Sequence, residues 1–397
     1  MKQKYTIIRD ILNLIFNNCN ITREDIKKKL NIASSYVYSI IPKLLKQKII
    51  VESNDGISGS RRKKRFLSIN PELGCVIGIN IEHNYIEGGI YDFNINPVTK
   101  IHQNIILKEY TEKFIVDKLF KIISGLIKKS GKKKVYGIGI GNPGITKLSI
   151  RYNAHEVDIF DWRDFNLEKI IQERFKIPVV ISGKNNLSAL AEYWNLRHKG
   201  YKHLVYVNIG VGVGMGSVIN GEIFTGGKCD AGNIGHMIIV GADEGRLCVC
   251  GNRGCLGSMV STDSIVSQIK ELAEYGVFTK LGKENIDYDN IVRKFKEKDK
   301  LVADVINNVA RYLSIGIFNI INTVSPEIVI IGGDIVKLGT EFEEQVKHNL
   351  DKLLWAGNKK FLPEVMFSNM VGGHSKGAGL YILKKIFNED IENIINL

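Results

Sequence analysis

Apolar residues recur at helical spacing from the first turns of the chain. Ile7, Ile8, Ile11, Leu12, Ile15 and Phe16 make one stripe on a core-facing helix. "ITREDIKKKL" follows, with Thr22 placed to cap a second helix and Glu24 and Asp25 in its first turn, where negative charge suits the positive end of the helix dipole. After a break at "NIASS", a third stripe runs through Val37, Ile40, Ile41, Leu44 and Leu45. The pattern predicts three helices with a tight turn between the second and third, a helix-turn-helix. "VESNDGISGSRRKKRFLSI" then reads as two short strands around a Gly/Ser loop carrying five consecutive basic residues, Arg61 to Arg65. That is how a winged helix ends. Pro42 conflicts with a regular third helix, because it removes a hydrogen bond at a cost of about 3 kcal/mol. A kink there, or a reading half that ends near Ile41, is the expectation.

From about Gly74 strands alternate with helices. "CVIGINIEHNYIEGGIYDF" reads as strand, turn and strand, "IVDKLFKIISGLIKK" as a helix, and "KVYGIGIGNPG" as a strand entering a Gly-Pro loop. "VNIGVGVGMGSVINGEIF" is a glycine-punctuated hairpin and "PEIVIIGGDI" a buried strand ending in glycines. This alternation predicts a mixed α/β architecture. The glycines from Gly210 to Gly216 allow two readings: backbone amides approaching a phosphate, or hairpin positions that need positive φ.

A chain of 397 residues is too long for one ordinary core and predicts two or three domains. With 44% hydrophobic and 24% charged residues it is neither disordered nor fibrous. The opening turns from basic to apolar, but Arg9 and Asp10 interrupt it and no small-residue cleavage site follows. Nor is there a run of about 18 apolar residues. A cytoplasmic protein without membrane insertion is the expectation. The net charge of +13 is uneven: residues 1–70 hold fifteen Lys or Arg and five Asp or Glu, hence +10, leaving 13 − 10 = +3 for the rest. A basic front end on a helix-turn-helix implies double-stranded DNA as partner. The third helix would present Ser34, Ser35, Tyr36, Tyr38, Ser39 and Lys43 to base edges and phosphates. Arg61, Arg62, Lys63, Lys64 and Arg65 would grip the backbone; the plain alternative for them is a solvated hairpin.

Three of the six cysteines fall in "HMIIVGADEGRLCVCGNRGC", residues 236 to 255, with one histidine. In a reducing compartment such clustering favours a metal or free thiols over disulfides.

In order, these pieces resemble the ROK family, named for repressors, open reading frames and kinases, over nearly the whole chain. The stretches that carry the likeness include "GNPG" at Gly141, "DWRDFNLEKIIQERFKIPVVI" followed by "NNLSALAE", the glycine hairpin at Gly210, "GNIGH" with "CVCGNRGC", "IVIIGG" at Ile328 and "GAGL" at Gly377. The resemblance implies a winged helix-turn-helix followed by a two-lobed actin-like (ribonuclease H-like, sugar kinase) ATPase-type fold. On that plan residues 1–70 form the DNA-binding head. Residues 71–190 form the first lobe, joined by a C-terminal helix at 376–397, and residues 191–375 the second lobe, with the dimerisation surface. The resemblance also implies that His236, Cys248, Cys250 and Cys255 are ligands of a structural Zn2+, one imidazole and three thiolates closing a tetrahedron. Cys229 is near enough in sequence to be a rival ligand. A winged helix ahead of the body resembles the family's repressor branch.

Several positions depart from the kinases of the family. Where those have an Asn-Asp pair whose aspartate is the general base, this chain has Gly183 and Lys184, and a charged ammonium cannot take a proton. Two sugar-binding glutamates are replaced by Asn233 and Gly257, leaving Asn186 and His236 as retained sugar contacts. The first phosphate loop reads "NIEHN", residues 80 to 84. These losses imply a regulator, most simply a repressor of carbohydrate-related genes acting as a homodimer or tetramer, and no enzyme. An ATP-dependent sugar kinase with a regulatory head is the alternative, and an interaction protein under transporter control a third. Exchanging one aspartate and two glutamates for a lysine, an amide and a glycine moves the local charge by +4. The ligand expected from that count is an anionic sugar derivative held by Lys184, Asn186, Asn233 and His236.

Overall fold

The structure is a computed structural model. It describes residues 2–54, 65–82, 85–105, 111–142, 166–228, 231–281, 286–353, 362–370, 373–389 and 394.

The chain opens with α1 (Lys2–Asn17), α2 (Arg23–Leu30) and α3 (Ser34–Lys46), then the antiparallel pair β1 (Ile50–Asn54) and β2 (Arg65–Ile69). Thr22 and Asp25 exchange side-chain and backbone hydrogen bonds at the start of α2, a capping box that satisfies two helix-end donors. Asn31, in the left-handed region, ends α2 and opens the short turn to α3. Pro42 does not end or divide α3, which runs through to Lys46. The reason is energetic: Val37, Ile40, Ile41 and Leu44 on both sides of the proline are buried. At about 1.5–3 kcal/mol each, their burial outweighs one lost hydrogen bond.

The first lobe contains β3 (Cys75–Ile81), β4 (Tyr85–Asp92), β5 (Pro97–Asn104), α4 (Glu112–Lys129), β6 (Val135–Asn142), α5 (Leu167–Phe175) and β7 (Val179–Gly183), and it leads into α6 (Lys184–Asn195). The second contains β8 (His203–Ile209), β9 (Val213–Ile219), β10 (Glu222–Ile223), α7 (Leu256–Val260), α8 (Thr262–Glu274), α9 (Tyr288–Lys296), α10 (Lys300–Val324), β11 (Ile328–Gly332), α11 (Thr340–Leu353) and β12 (Glu364–Phe367), and it leads into α12 (Gly373–Glu389).

The two five-stranded sheets repeat one plan. Their orders are β5-β4-β3-β6-β7 and β10-β9-β8-β11-β12. In each, the first three strands form an antiparallel meander and the last two add in parallel. In each, too, one helix follows the fifth strand: α6 after β7 and α12 after β12. These two equivalent helices pack on each other between the sheets. At Gly377 of α12 an added Cβ would lie 1.9 Å from the Leu187 carbonyl oxygen of α6, so the two backbones touch directly. α12 also lies on the first sheet, where Gly139 leaves room for the Ala378 carbonyl.

Strands buried on both faces are apolar, β11 throughout and β3 except at Asn80. α10 is long and apolar enough to cross a membrane by length and composition, but Leu301, Val305, Val309, Leu313, Ile317 and Ile320 bury it in the second lobe's core.

Candidate functional site

The exposed face of α3 is the first region with chemistry to offer. Ser35, Tyr36, Tyr38, Ser39 and Lys43 are exposed and Ser34 half-buried, in a row opposite the buried stripe. Tyr36 and Tyr38 keep 49% and 55% of their surface, which is more than a folding role requires of an aromatic ring. Tyr38 Oη stands 3.5 Å from Glu24 on α2, and Ser39 Oγ donates to the Tyr36 carbonyl. Of the five wing cations, Arg61, Arg62, Lys63 and Lys64 lie outside the described residues. Arg65 is exposed at the start of β2 and pairs with Glu52 at 3.2 Å; Arg23 takes the other oxygen of the same carboxylate at 3.0 Å. Two guanidiniums on one carboxylate leave a positive balance at the base of the wing.

The cysteine-rich stretch folds into a compact loop. Ile238 pairs with Cys255 and Leu247 with Arg253. Gly254, at φ +75° and against the Val240 carbonyl, makes the turn that a side chain would block. His236, Cys248, Cys250 and Cys255 offer donor atoms all within 4.8 Å of one another. Cys250 Sγ and Cys255 Sγ are 3.7 Å apart, and Cys248 Sγ and His236 Nδ1 are 3.5 Å apart. A disulfide needs about 2.0 Å, so the thiols are free. A tetrahedral ion at about 2.3 Å from sulfur and 2.0–2.1 Å from nitrogen sets edges of about 3.8 and 3.6 Å. The cluster therefore has the dimensions of a metal site. Cys229, the rival ligand, lies outside the described residues. The loop is tied to α8 by Arg246, which makes a two-pronged contact with Glu271 at 2.6 and 2.9 Å and reaches Ser267 at 3.1 Å. Those bonds hold the Glu271 carboxyl down at about 2.

Between the lobes, the cleft differs from the sequence expectation. Lys184 is not a free cation: its ammonium lies 2.7 Å from Glu82 Oε2, and both side chains are largely buried. Glu82 follows β3 and Lys184 opens α6, so two residues of opposite charge from distant parts of the chain close on each other. Asn80 donates to Glu82 Oε1 at 3.2 Å, and His374 Nε2 stands 4.0 Å from that oxygen. His374 Nδ1 meets the Ser188 hydroxyl and lies 3.3 Å from the Lys184 carbonyl. Burial pushes the Glu82 carboxyl up, but Lys184 and His374 more than offset it and hold the group below the usual carboxylate range. Burial pushes His374 down, against Glu82, so the ring favours its neutral form. One ammonium and one carboxylate thus cancel, which takes one unit from the +4 count and leaves +3; what changes is that Lys184, the cation expected to hold an anionic ligand, is already engaged. Glu87, raised by burial, accepts from Ser375 at the start of α12.

The remaining expected ligand contacts frame the same region. Asn186, on α6, and Asn80 each bury a side-chain oxygen that has no hydrogen-bond partner among the described residues. Asn233 and His236 are exposed on a 3-10 turn at Ile234–His236, the segment that delivers His236 to the metal cluster. The hairpin glycines do not follow the reading that needs positive φ. None of Gly210, Gly212, Gly214 and Gly216 has positive φ. Gly214 and Gly216 are small because α6 begins against them: added Cβ atoms would lie 2.3 Å from the Asn185 side chain and 2.1 Å from its carbonyl.

Glu82, Ser188 and His374 escaped the sequence reading. Only Glu82 carried a signal, as an acidic residue inside an altered loop opposite an unexpected lysine.

Comparison with known proteins places these features. The ROK family model matches residues 76–382. A putative xylose repressor from Caldicellulosiruptor sp. (strain Rt8B.4) is 33% identical over 346 residues, covering 85% of each chain. Among solved structures, a ROK family transcriptional regulator, a homologue of the E. coli MLC protein, superposes with a TM-score of 0.79 at 22% identity, over 98% of this chain and 97% of that one. A ROK family glucokinase from Streptomyces griseus, solved with glucose and AMPPNP, reaches 0.62 at 23% identity, over 77% of this chain and 99% of that one.

Proposed function

The chain belongs to the ROK family, and from that premise we propose that it is a DNA-binding transcriptional regulator of carbohydrate-related genes, whose kinase-like body senses a sugar instead of phosphorylating it. The observation that carries this is the row of exposed polar and aromatic side chains on α3, Ser35 to Lys43, mounted on a closed apolar core. A helix so presented fits the major groove, where Tyr36 and Ser39 reach base edges while Lys43 and the wing cations hold phosphates. The relatives' repressor names support the same reading. The protein acts in the cytoplasm as a repressor, and as a homodimer or tetramer it meets half-sites spaced by whole turns of the duplex. Residues 1–70 serve as the head, 71–190 with the C-terminal helix as one lobe, and 191–375 as the other.

Phosphoryl transfer is disfavoured by the Lys184–Glu82 pair. The base position holds a cation already engaged, and Glu82 puts a carboxylate where a phosphate loop must offer backbone to an anion. With its ammonium held by Glu82, Lys184 offers no free cation to an incoming phosphate. The ligand is therefore a neutral sugar, with Asn186 and Asn80 supplying unsatisfied acceptors for its hydroxyls and Asn233 and His236 at the rim. His236, Cys248, Cys250 and Cys255 hold Zn2+ in a closed set with no open position, so the ion supplies rigidity and no chemistry.

Selection of bound fragments from genomic DNA tests the reading. Recovery of a two-fold related motif is expected, and retention of no fragment even at low salt refutes it. A coupled assay for sugar-dependent ADP release separates the kinase alternative, with no turnover expected. Calorimetry with D-xylose, N-acetylglucosamine and their phosphates tests the ligand class; binding of a phosphate but of neither neutral sugar refutes it.

A further inference from the structure

The two helices that start in the cleft finish against the DNA head. α6 begins at Lys184 and α12 at Gly373, and their first turns are joined through Ser188, His374 and the Lys184 carbonyl, with Glu82 closing the group. They run side by side: Leu187 meets Gly377, and further along Leu190, Tyr381 and Lys384 share one cavity wall. In their last turns stand Trp194 of α6 and Phe387 of α12. Phe16, in the last turn of α1, lies between them, with ring centroids 4.6 Å from Trp194 and 4.7 Å from Phe387. Arg197 stacks on Trp194 at 4.0 Å, and Phe93, just after β4, stands 6.0 Å from Phe387. Phe16, Trp194 and Phe387 are each at most 5% exposed.

From this arrangement we infer that Phe16 is the coupling wedge through which the Lys184–Glu82 pair sets the posture of the head. A sugar hydroxyl that divides the pair takes hydrogen bonds from one partner and changes how the first turns of α6 and α12 are held together. Close-packed interiors transmit such a change instead of absorbing it. The gap between Trp194 and Phe387 is where it reaches α1, and through α1 the placement of α3. The inference rests on the regulator reading above and adds to it the route and the residues. Neighbours in sequence or space do not establish a route; coupling between distant residues does.

The experiment is a mutant cycle on the full-length protein, free of any effector. Glu82→Gln with Lys184→Met removes the pair without leaving a lone charge, and Phe16→Leu removes the wedge. The four proteins are the wild type, each alteration and their combination, titrated with the fragment that the wild type enriches most. Residues this far apart act independently unless coupled. Loss of the pair is expected to weaken DNA binding at least five-fold when Phe16 is present and less than two-fold when it is leucine, the lower range of known allosteric couplings. An equal shift in both backgrounds, or none in either, overturns the inference. Amide exchange of residues 10–17, measured without DNA on the wild type and the pair variant, gives a second reading that needs no change at Phe16. Exchange at least three-fold faster in the variant is expected, and a change confined to the cleft overturns the inference. A wild type that retains no fragment counts against DNA binding alone, because exchange still decides the coupling.

Discussion

The metal cluster and the cleft pair are built by opposite strategies. The cluster draws four donors from twenty consecutive residues, on a loop whose glycines fold it back on itself. The cleft pair joins residues 102 positions apart, one from an altered phosphate loop and one from the start of α6. The cluster is specified locally, by its own loop. The pair exists only once the first sheet has formed, and each member is a liability without the other. Short-range sites are thus visible as spacing, whereas long-range ones are visible, if at all, as two anomalies that cancel.

The largest effect should come from the cluster. Cys255→Ser removes a fully buried donor, and since structural zinc contributes on the order of 10 kcal/mol in small metal-folded domains, bound metal should fall below stoichiometric and the loop should lose protection. Metal analysis and amide exchange of residues 236–255 measure this; full metal content in the variant would break the contrast. Next comes the pair. Lys184→Met leaves Glu82 buried and unpaired, which costs about 3–5 kcal/mol, whereas adding Glu82→Gln should recover most of the loss. Denaturant unfolding reads both, and equal loss in single and double variants would mean that the two residues act separately. On α3, a third locally specified region, Tyr36→Ala or Ser39→Ala should change the preferred base at one position by about 1–3 kcal/mol, seen by repeating the selection. Lys43→Gln should weaken all sequences alike and lower the salt dependence.

The smallest effect is at the tether between the metal loop and α8. Glu271 is held at about 2, below its ordinary value of 4.5. A depressed carboxyl stabilises the fold above its unfolded value, and this contribution fades as pH falls from about 4.5 towards 2. Arg246→Ala should raise the Glu271 titration, followed by NMR, part of the way towards 4.5, the Ser267 hydroxyl still holding it down, with little change in stability at neutral pH because the pair is largely solvated. An unchanged titration would show that Arg246 is not its cause.

The three helices of the head, the strand alternation and the cysteine donors were legible in the sequence because each depends on neighbours within a few turns. At Pro42 the helix does not end, because the burial on either side of the proline offsets the local cost. Lys184 misled because its partner arrives through β3, and no periodicity links residue 82 to residue 184. For the hairpin glycines the positive-φ reading failed for a related reason: the smallness of Gly214 and Gly216 answers to Asn185 on α6, which only the packed structure brings near. The aromatic stack of Phe16, Trp194 and Phe387 had no signal, since three rings in separate segments look like three ordinary core residues.

The direct backbone contact at Gly377 has a mechanical consequence. The Leu187 carbonyl sits in the notch that this glycine leaves, and Gly78 and Gly139 of the first sheet seat the Ser375 and Ala378 carbonyls in the same way, so α12 is held backbone to backbone on two sides. A methyl at residue 377 would force α6 and α12 apart without altering any charge in the cleft.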